Sequence, residues 1–281
     1  IIGGLIITQV SIYIGLGLAG GFVGGLGWMR YATTLYQFPL GLVATAVSLA
    51  VLPTLARQSS GANGDFVATL AQGVNLVTLL IIPAAAGLFV LAHPIVALAF
   101  ERGEFTALDT TMTALVLQVL LIGLSFAAVD QMLIFAFYAR RDTLTPALVG
   151  VFTVFVYIAV ALLLLRPLGL FSLMVADAVK QITHALVTGA LLSRRVGGFA
   201  RTTLWPTLGK VLMASVVMAA FAGGTLAGVQ ALAMPAGLAQ RALNVILPGA
   251  VGVVVYFGLL ARLNIAEVRL AVGLIRRRLG V

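Results

Sequence analysis

The chain has 281 residues, of which 62% are hydrophobic and 9% charged, and its mean hydropathy is +1.16. That is far from the roughly half-apolar, quarter-charged mixture of a soluble domain, and it describes an integral membrane protein. The formal charge of +9 does not point to nucleic acid, because the basic residues sit at the ends of apolar runs rather than on a polar domain.

Apolar stretches of about 20 residues, the length that crosses hydrocarbon, fall in chain order at 1–19, 31–56, 67–91, 111–137, 147–165, 170–192, 208–230 and 243–263. The fold class is therefore all-α, a polytopic membrane helical bundle of about eight transmembrane helices. A barrel would instead show alternation over ten-residue segments. The first run opens on Ile1 with no basic leader or small-residue cleavage site, and reads as an internal start in a longer protein. In the second and third runs Pro39, Pro53 and Pro83 each remove a backbone hydrogen bond and predict a bent helix. His93, before Pro94, reads as interfacial.

Between the third and fourth runs lies Phe100-Glu101-Arg102-Gly103-Glu104-Phe105-Thr106, followed by a capping-box spacing from Thr106 to Asp109. Glu101, Arg102 and Glu104 are expected to stay solvated. The fourth run carries Asp130 and Gln131, and an acid within a span either serves as a proton or cation site or pairs with a neighbouring helix. The turn at Arg140-Arg141-Asp142 places two cations at a helix C-terminus, and Thr145-Pro146 predicts an N-cap with proline at the first helical position.

Asp177, Lys180 and His184 follow i, i+3, i+7 spacing on the sixth run and share one helical face. They form either a self-neutralising pair packed in the bundle or a cavity-lining cation for an anionic substrate. Lys210, at the start of the seventh run, is expected to snorkel to the headgroups. After the last run, Ile265, Val268, Val272, Ile275 and Leu279 make an apolar stripe beside Arg269, Arg276, Arg277 and Arg278, the pattern of an amphipathic helix on a membrane surface.

Sorted by loop, one set of breaks holds Arg57, Arg140, Arg141, Arg194, Arg195, Arg201, Arg262 and the four C-terminal arginines, whereas the other holds Arg30, Arg102, Arg166 and Arg241. The positive-inside rule makes the first set cytoplasmic and places both chain ends inside. With no cysteine, two histidines and eight carboxylates, no triad or metal-ligand spacing is present, so neither an enzyme nor a cofactor or metal is expected.

The turn Phe137-Tyr138-Ala139, Asp142-Thr143, Thr145-Pro146, the Phe100–Thr106 box upstream, and Phe38-Pro39 with Leu52-Pro53 before that, resemble the MurJ/MviN family of lipid II flippases. The resemblance runs from about Trp28 to Leu192 and more weakly to the end. It implies a bacterial cytoplasmic membrane protein of the polysaccharide-exporter superfamily, in which fourteen spans form two six-helix lobes plus a terminal pair. This chain would then be the second lobe, 1–195, with a helix pair at 196–263 forming a lipid groove and a basic interfacial helix at 264–281. The N-terminal lobe would be a missing partner. The implied cargo is the undecaprenyl-pyrophosphate-linked peptidoglycan precursor, an anionic lipid-linked glycan moved from inner to outer leaflet by alternating access. Membrane lipids and cell-wall synthesis proteins are the other implied partners.

Where well-known members carry an Asp-Arg pair just before Leu-x-x-Phe-Pro, this chain has Thr33 and Thr34. Arg30, one turn earlier, is expected to place its guanidinium in the same region. The candidate substrate-binding residues are Arg30, Thr33, Thr34, Asp177 and Lys180, with Asp130 as a candidate for ion coupling. Two rival readings are a cation-coupled drug or polysaccharide-lipid exporter of the same superfamily, in which Asp130 matters more than the arginines, and a truncated membrane module that does not transport.

Overall fold

Gly24 adopts φ of 79°, a left-handed value open to glycine, and turns the chain into α1 (Gly25–Pro39). In the computed structural model, which describes residues 15–59, 63–198, 204–232 and 237–263, α1 passes without interruption through a π-helical segment, Leu40–Thr45, into α2 (Ala46–Gln58). Pro39 cannot donate to the carbonyl of Leu35, and the wider π turn follows directly, as expected where the i→i−4 ladder is broken. The second crossing thus begins at residue 25, earlier than the expected 31, because the glycines at 25 and 27 are carried inside the helix rather than ahead of it.

The remaining elements are α3 (Asn63–Val90), α4 (Ala92–Phe100), α5 (Ala107–Ala139), α6 (Leu144–Leu168), α7 (Phe171–Val196), α8 (Leu204–Ala231) and α9 (Leu238–Arg262). The third crossing ends where expected: α3 breaks at Leu91, three residues before Pro94, and the short α4 follows. Among the described residues, six stretches are long and apolar enough to cross a membrane: the rod 25–58, then 64–90, α5, α6, α8 and α9. α7 has a similar length, but its polar side chains set it apart.

α5 is the hub. At 33 residues it extends about 50 Å, and it packs against α7, α3, α1, α4 and α2. α6 returns the chain so that α7 runs parallel to α5, and small residues bring the two backbones close: a Cβ on Gly123 would lie 3.0 Å from the Ala178 Cα. α8 and α9 pack on each other and lean on α3 through Leu79, Ile82, Val211, Met218, Tyr256 and Leu260. On α6 the stripe Leu148, Phe152, Phe155 and Leu162 is exposed, as suits a helix face turned to lipid.

Each end of the bundle is fastened by charged or aromatic contacts. At one end Trp28 donates to Asp109 at 2.8 Å, and Tyr31, Phe100 and Phe105 stack within 4.7 to 6.1 Å of one another. The Thr106–Asp109 capping box closes there, with the Thr106 N–H 2.8 Å from the Asp109 carboxylate. At the other end α5 finishes with Arg141 at φ of 60° and the Asp142 N–H bonded to the Phe137 carbonyl at 3.0 Å, a Schellman-type stop. The cap of α6 differs from the expected one. The helix starts at Leu144, and it is Asp142, not Thr145, that accepts from the N–H groups of Leu144 and Thr145 at 3.1 and 2.9 Å. Aspartate takes this place because its carboxylate also receives the Thr145 hydroxyl, at 2.6 Å, and Arg195 from α7. The first fourteen residues of the first span and the amphipathic stripe at 265–279 lie outside the described residues.

Candidate functional site

α7 is the polar helix of an apolar bundle, and its polar side chains follow one another down the face turned to α5, α6 and α1. Nearest the Glu101 end, Lys180 Nζ meets Asp177 Oδ1 at 2.6 Å, and the ammonium lies 5.5 Å from the ring of Tyr157 on α6. Both side chains are about three-quarters buried. Tyr36 of α1 borders Asp177 and Gln181. An ion pair with an aromatic face beside it is how a membrane interior tolerates two charges.

His184 comes next. It shares the helical face of Asp177 and Lys180, as the spacing implies, and its Nδ1 lies 2.7 Å from Oδ1 of Asp130 on α5 and 3.1 Å from the hydroxyl of Thr188. The Asp130 and His184 side chains are 8% and 13% exposed. The next residue, Gln131, turns the other way and donates to Thr45 in the π-helical segment at 2.9 Å.

The other candidates lie on α1. Gly25, Ala32, Tyr36 and Pro39 form its buried stripe, while Arg30, Thr34 and Phe38 line an exposed one and Thr33 sits half-buried between them. Thr34 donates back to the Arg30 carbonyl at 3.0 Å. Arg30 and Thr34 thus share a face one turn apart, as the spacing implied. Asp177 instead borders Tyr36 on the buried stripe of α1, and no hydrogen bond or ion pair joins Arg30, Thr33 or Thr34 to Asp177 or Lys180 among the described residues.

A lateral cavity of about 310 Å³ opens between α3, α8 and α9, lined by Leu80, Pro83, Met218, Gly252, Tyr256 and Phe257 among others. Its wall is pinned by Tyr256, whose hydroxyl donates to the Leu79 carbonyl at 2.7 Å. That carbonyl is the one Pro83 cannot serve, four residues on.

Two further polar fasteners lie at the ends of α9. Glu101 is not solvated: Arg241 at the start of α9 donates to its carboxylate at 2.6 Å and to its carbonyl at 2.7 Å, and Thr110 donates to the other carboxylate oxygen at 2.7 Å. Arg102 and Glu104 are exposed. Lys210 bonds the Leu263 carbonyl at 3.2 Å, at the C-terminus of α9, where the helix dipole favours a cation. The sequence signals no partner for Glu101 or Tyr256, because both contacts join residues far apart in the chain. Gln181 was findable, since it stands one turn after Asp177.

A family model described as "Lipid II flippase MurJ" matches residues 1–246. The probable lipid II flippase MurJ of Rhizobium meliloti is 34% identical over 76% of this chain and 40% of its own length. That of Vibrio cholerae is 32% identical over 86% of this chain and 46% of its own. A solved structure described as lipid II flippase MurJ in an inward closed conformation superposes with a TM-score of 0.74 at 20% identity, covering 91% of this chain and 51% of that one. That likeness gives the fold. The chain spans about half the length of the relatives it matches.

Proposed function

The chain belongs to the lipid II flippase MurJ family, and from that premise we infer that it supplies one lobe of a flippase carrying an undecaprenyl-pyrophosphate-linked peptidoglycan precursor from the inner to the outer leaflet. A pyrophosphate and sugar headgroup cannot cross hydrocarbon unaided, so the protein offers a wet, partly cationic path while the lipid tail stays at the side. Arg30, with Thr34 one turn on and Thr33 beside it, meets the headgroup on the exposed stripe of α1. Asp177 and Lys180 back that helix from inside the lobe, and the apolar cavity between α3, α8 and α9 takes the tail. The lobe occupies residues 1–195, the helix pair 196–263 and the basic interfacial helix 264–281. The end bearing Asp142 faces the cytoplasm, because Arg57, Arg140, Arg141, Arg194, Arg195 and Arg262 gather there. Both ends of the chain lie on that side.

The observation that carries this reading is the exposed Arg30–Thr34 stripe on α1: a cation left at the surface of a membrane helix marks a cavity or a ligand path. The test expresses the protein's full reading frame in a strain depleted of its own lipid II flippase, alongside Arg30→Ala. The native protein should restore growth and the variant should fail at equal abundance. Normal growth with Arg30→Ala removes that residue from the path. Failure of the purified native protein to relocate labelled lipid II in vesicles, where a relative succeeds, overturns the function.

A further inference from the structure

Inside the lobe, away from the Arg30 stripe and from the ion pair of Asp177 with Lys180, one buried group is held by a single ring nitrogen. The close approach of α5 and α7 at Gly123 and Ala178 sets the two parallel helices so that, two turns further along, Asp130 reaches His184. With Asp130 as a carboxylate, which only accepts, the tautomer that satisfies the 2.7 Å contact is the one with Nδ1–H donating to Oδ1. The Thr188 hydroxyl oxygen lies 3.1 Å from the same nitrogen. The other nitrogen, Nε2, has no hydrogen-bond partner among the described residues and faces α6 at Gly150, where an added Cβ would stand 3.8 Å away. Glycine at that position leaves space beside the lone pair.

We propose that Asp130 and His184 form a proton-binding site within the lobe, with Nε2 taking a proton from one side of the membrane and returning it to the other. With Nε2 free, the pair carries one net negative charge. With Nε2 protonated it is a neutral imidazolium–carboxylate pair. A buried site that alternates between these two charge states biases α5 against α7, and through α5 it reaches every helix the hub contacts. Its consequence for transport rests on the flippase reading. The proton site itself does not.

The groups facing the pair are few. On α7 itself Asp177 and Lys180 lie two turns and one turn away and neutralise each other. α6 brings Tyr157, which stands over Lys180. α1 brings Tyr36, beside Asp177. α3 has no titratable side chain after Asp65, the stretch from Leu40 through α2 has none before Arg57, and α4 has only His93 in its first turn. An imidazole can take a proton on its second nitrogen while the first keeps its own, and His184 is the imidazole in this buried pair.

The test labels histidine with ¹⁵N in the purified full-length protein and assigns the His184 signals as those lost in His184→Gln. Nε2 should move from its free-base to its protonated shift as pH falls through about 8 to 5, while Nδ1 keeps its proton throughout. Asp130→Asn should displace that titration. A His184 signal that does not move across this range, or one that titrates identically without the Asp130 charge, overturns the proposal. In vesicles, lipid II movement by the native protein should change several-fold over the same range and flatten in His184→Gln. Movement that is pH-independent in both sinks the coupling while leaving the flippase reading intact. A titrating His184 in a protein that moves no lipid at any pH sinks the flippase reading and keeps the proton site.

Discussion

Asp142 shows how one side chain joins three helices. Its carboxylate caps α6, receives the Thr145 hydroxyl and is bridged by Arg195 of α7, whose guanidinium also lies 5.2 Å from the Phe137 ring of α5. Partial burial pushes its pKa up, but the hydrogen bonds from Thr145 and Arg195, with the Arg195 charge, outweigh this and hold it at about 2. An unfolded aspartate titrates near 3.9. The folded value is therefore the lower one, so the contribution to stability is complete above about pH 4 and is lost as pH falls towards about 2. Because the Arg195 side chain is 46% exposed, solvent screening limits the contribution to about 1 kcal/mol. Thermal unfolding in detergent should show Asp142→Asn less stable than the native protein at neutral pH, with the two curves converging between about pH 4 and 2. Parallel curves across that window would mean that the carboxylate contributes through packing alone.

At the scale of the element, Pro83 and Tyr256 belong to one device. The proline in α3 leaves the Leu79 carbonyl without its intrahelical donor, and the Tyr256 hydroxyl of α9 replaces it. The gap in the hydrogen-bond ladder that the sequence makes legible at Pro83 is thus also a docking point for α9, which no local pattern reveals. An unsatisfied carbonyl in an apolar wall costs about 1–3 kcal/mol. Tyr256→Phe should therefore lower unfolding stability in detergent by about that amount. In a Pro83→Ala background, where residue 83 regains its N–H, the same substitution should cost little. A four-member cycle of these variants measures the coupling directly, and additive effects would show that the hydroxyl is not standing in for the missing donor. The same contrast applies elsewhere in the bundle. Helix existence and the Thr106 cap were readable because they rest on runs and spacings of a few residues. The partner of His184 was not readable, because helical spacing tells which residues share a face, not which helix that face meets.

For the whole molecule, apolar runs were enough to foresee an all-helical membrane bundle, since hydrocarbon leaves the backbone few alternatives. The hub position of α5 was not foreseeable, because nothing in its own apolar sequence distinguishes a helix surrounded by protein from one facing lipid. Spacing could name the candidates Arg30, Thr33, Thr34, Asp130, Asp177 and Lys180 one by one, but not their distribution between the exposed stripe of α1 and the buried polar face of α7. Orientation follows from the charge distribution, and the chain suits a direct test because it contains no cysteine. Glu104→Cys places a thiol on the exposed loop at the Glu101 end, and Thr143→Cys places one on the exposed turn at the Asp142 end. With any other cysteines of the full reading frame replaced, a membrane-impermeant maleimide applied to spheroplasts should label the first variant at once and the second only after the membrane is permeabilised. The opposite pattern would invert the lobe. It would also turn the Arg140, Arg141, Arg194 and Arg195 cluster away from the anionic inner leaflet, which the positive-inside tendency strongly disfavours.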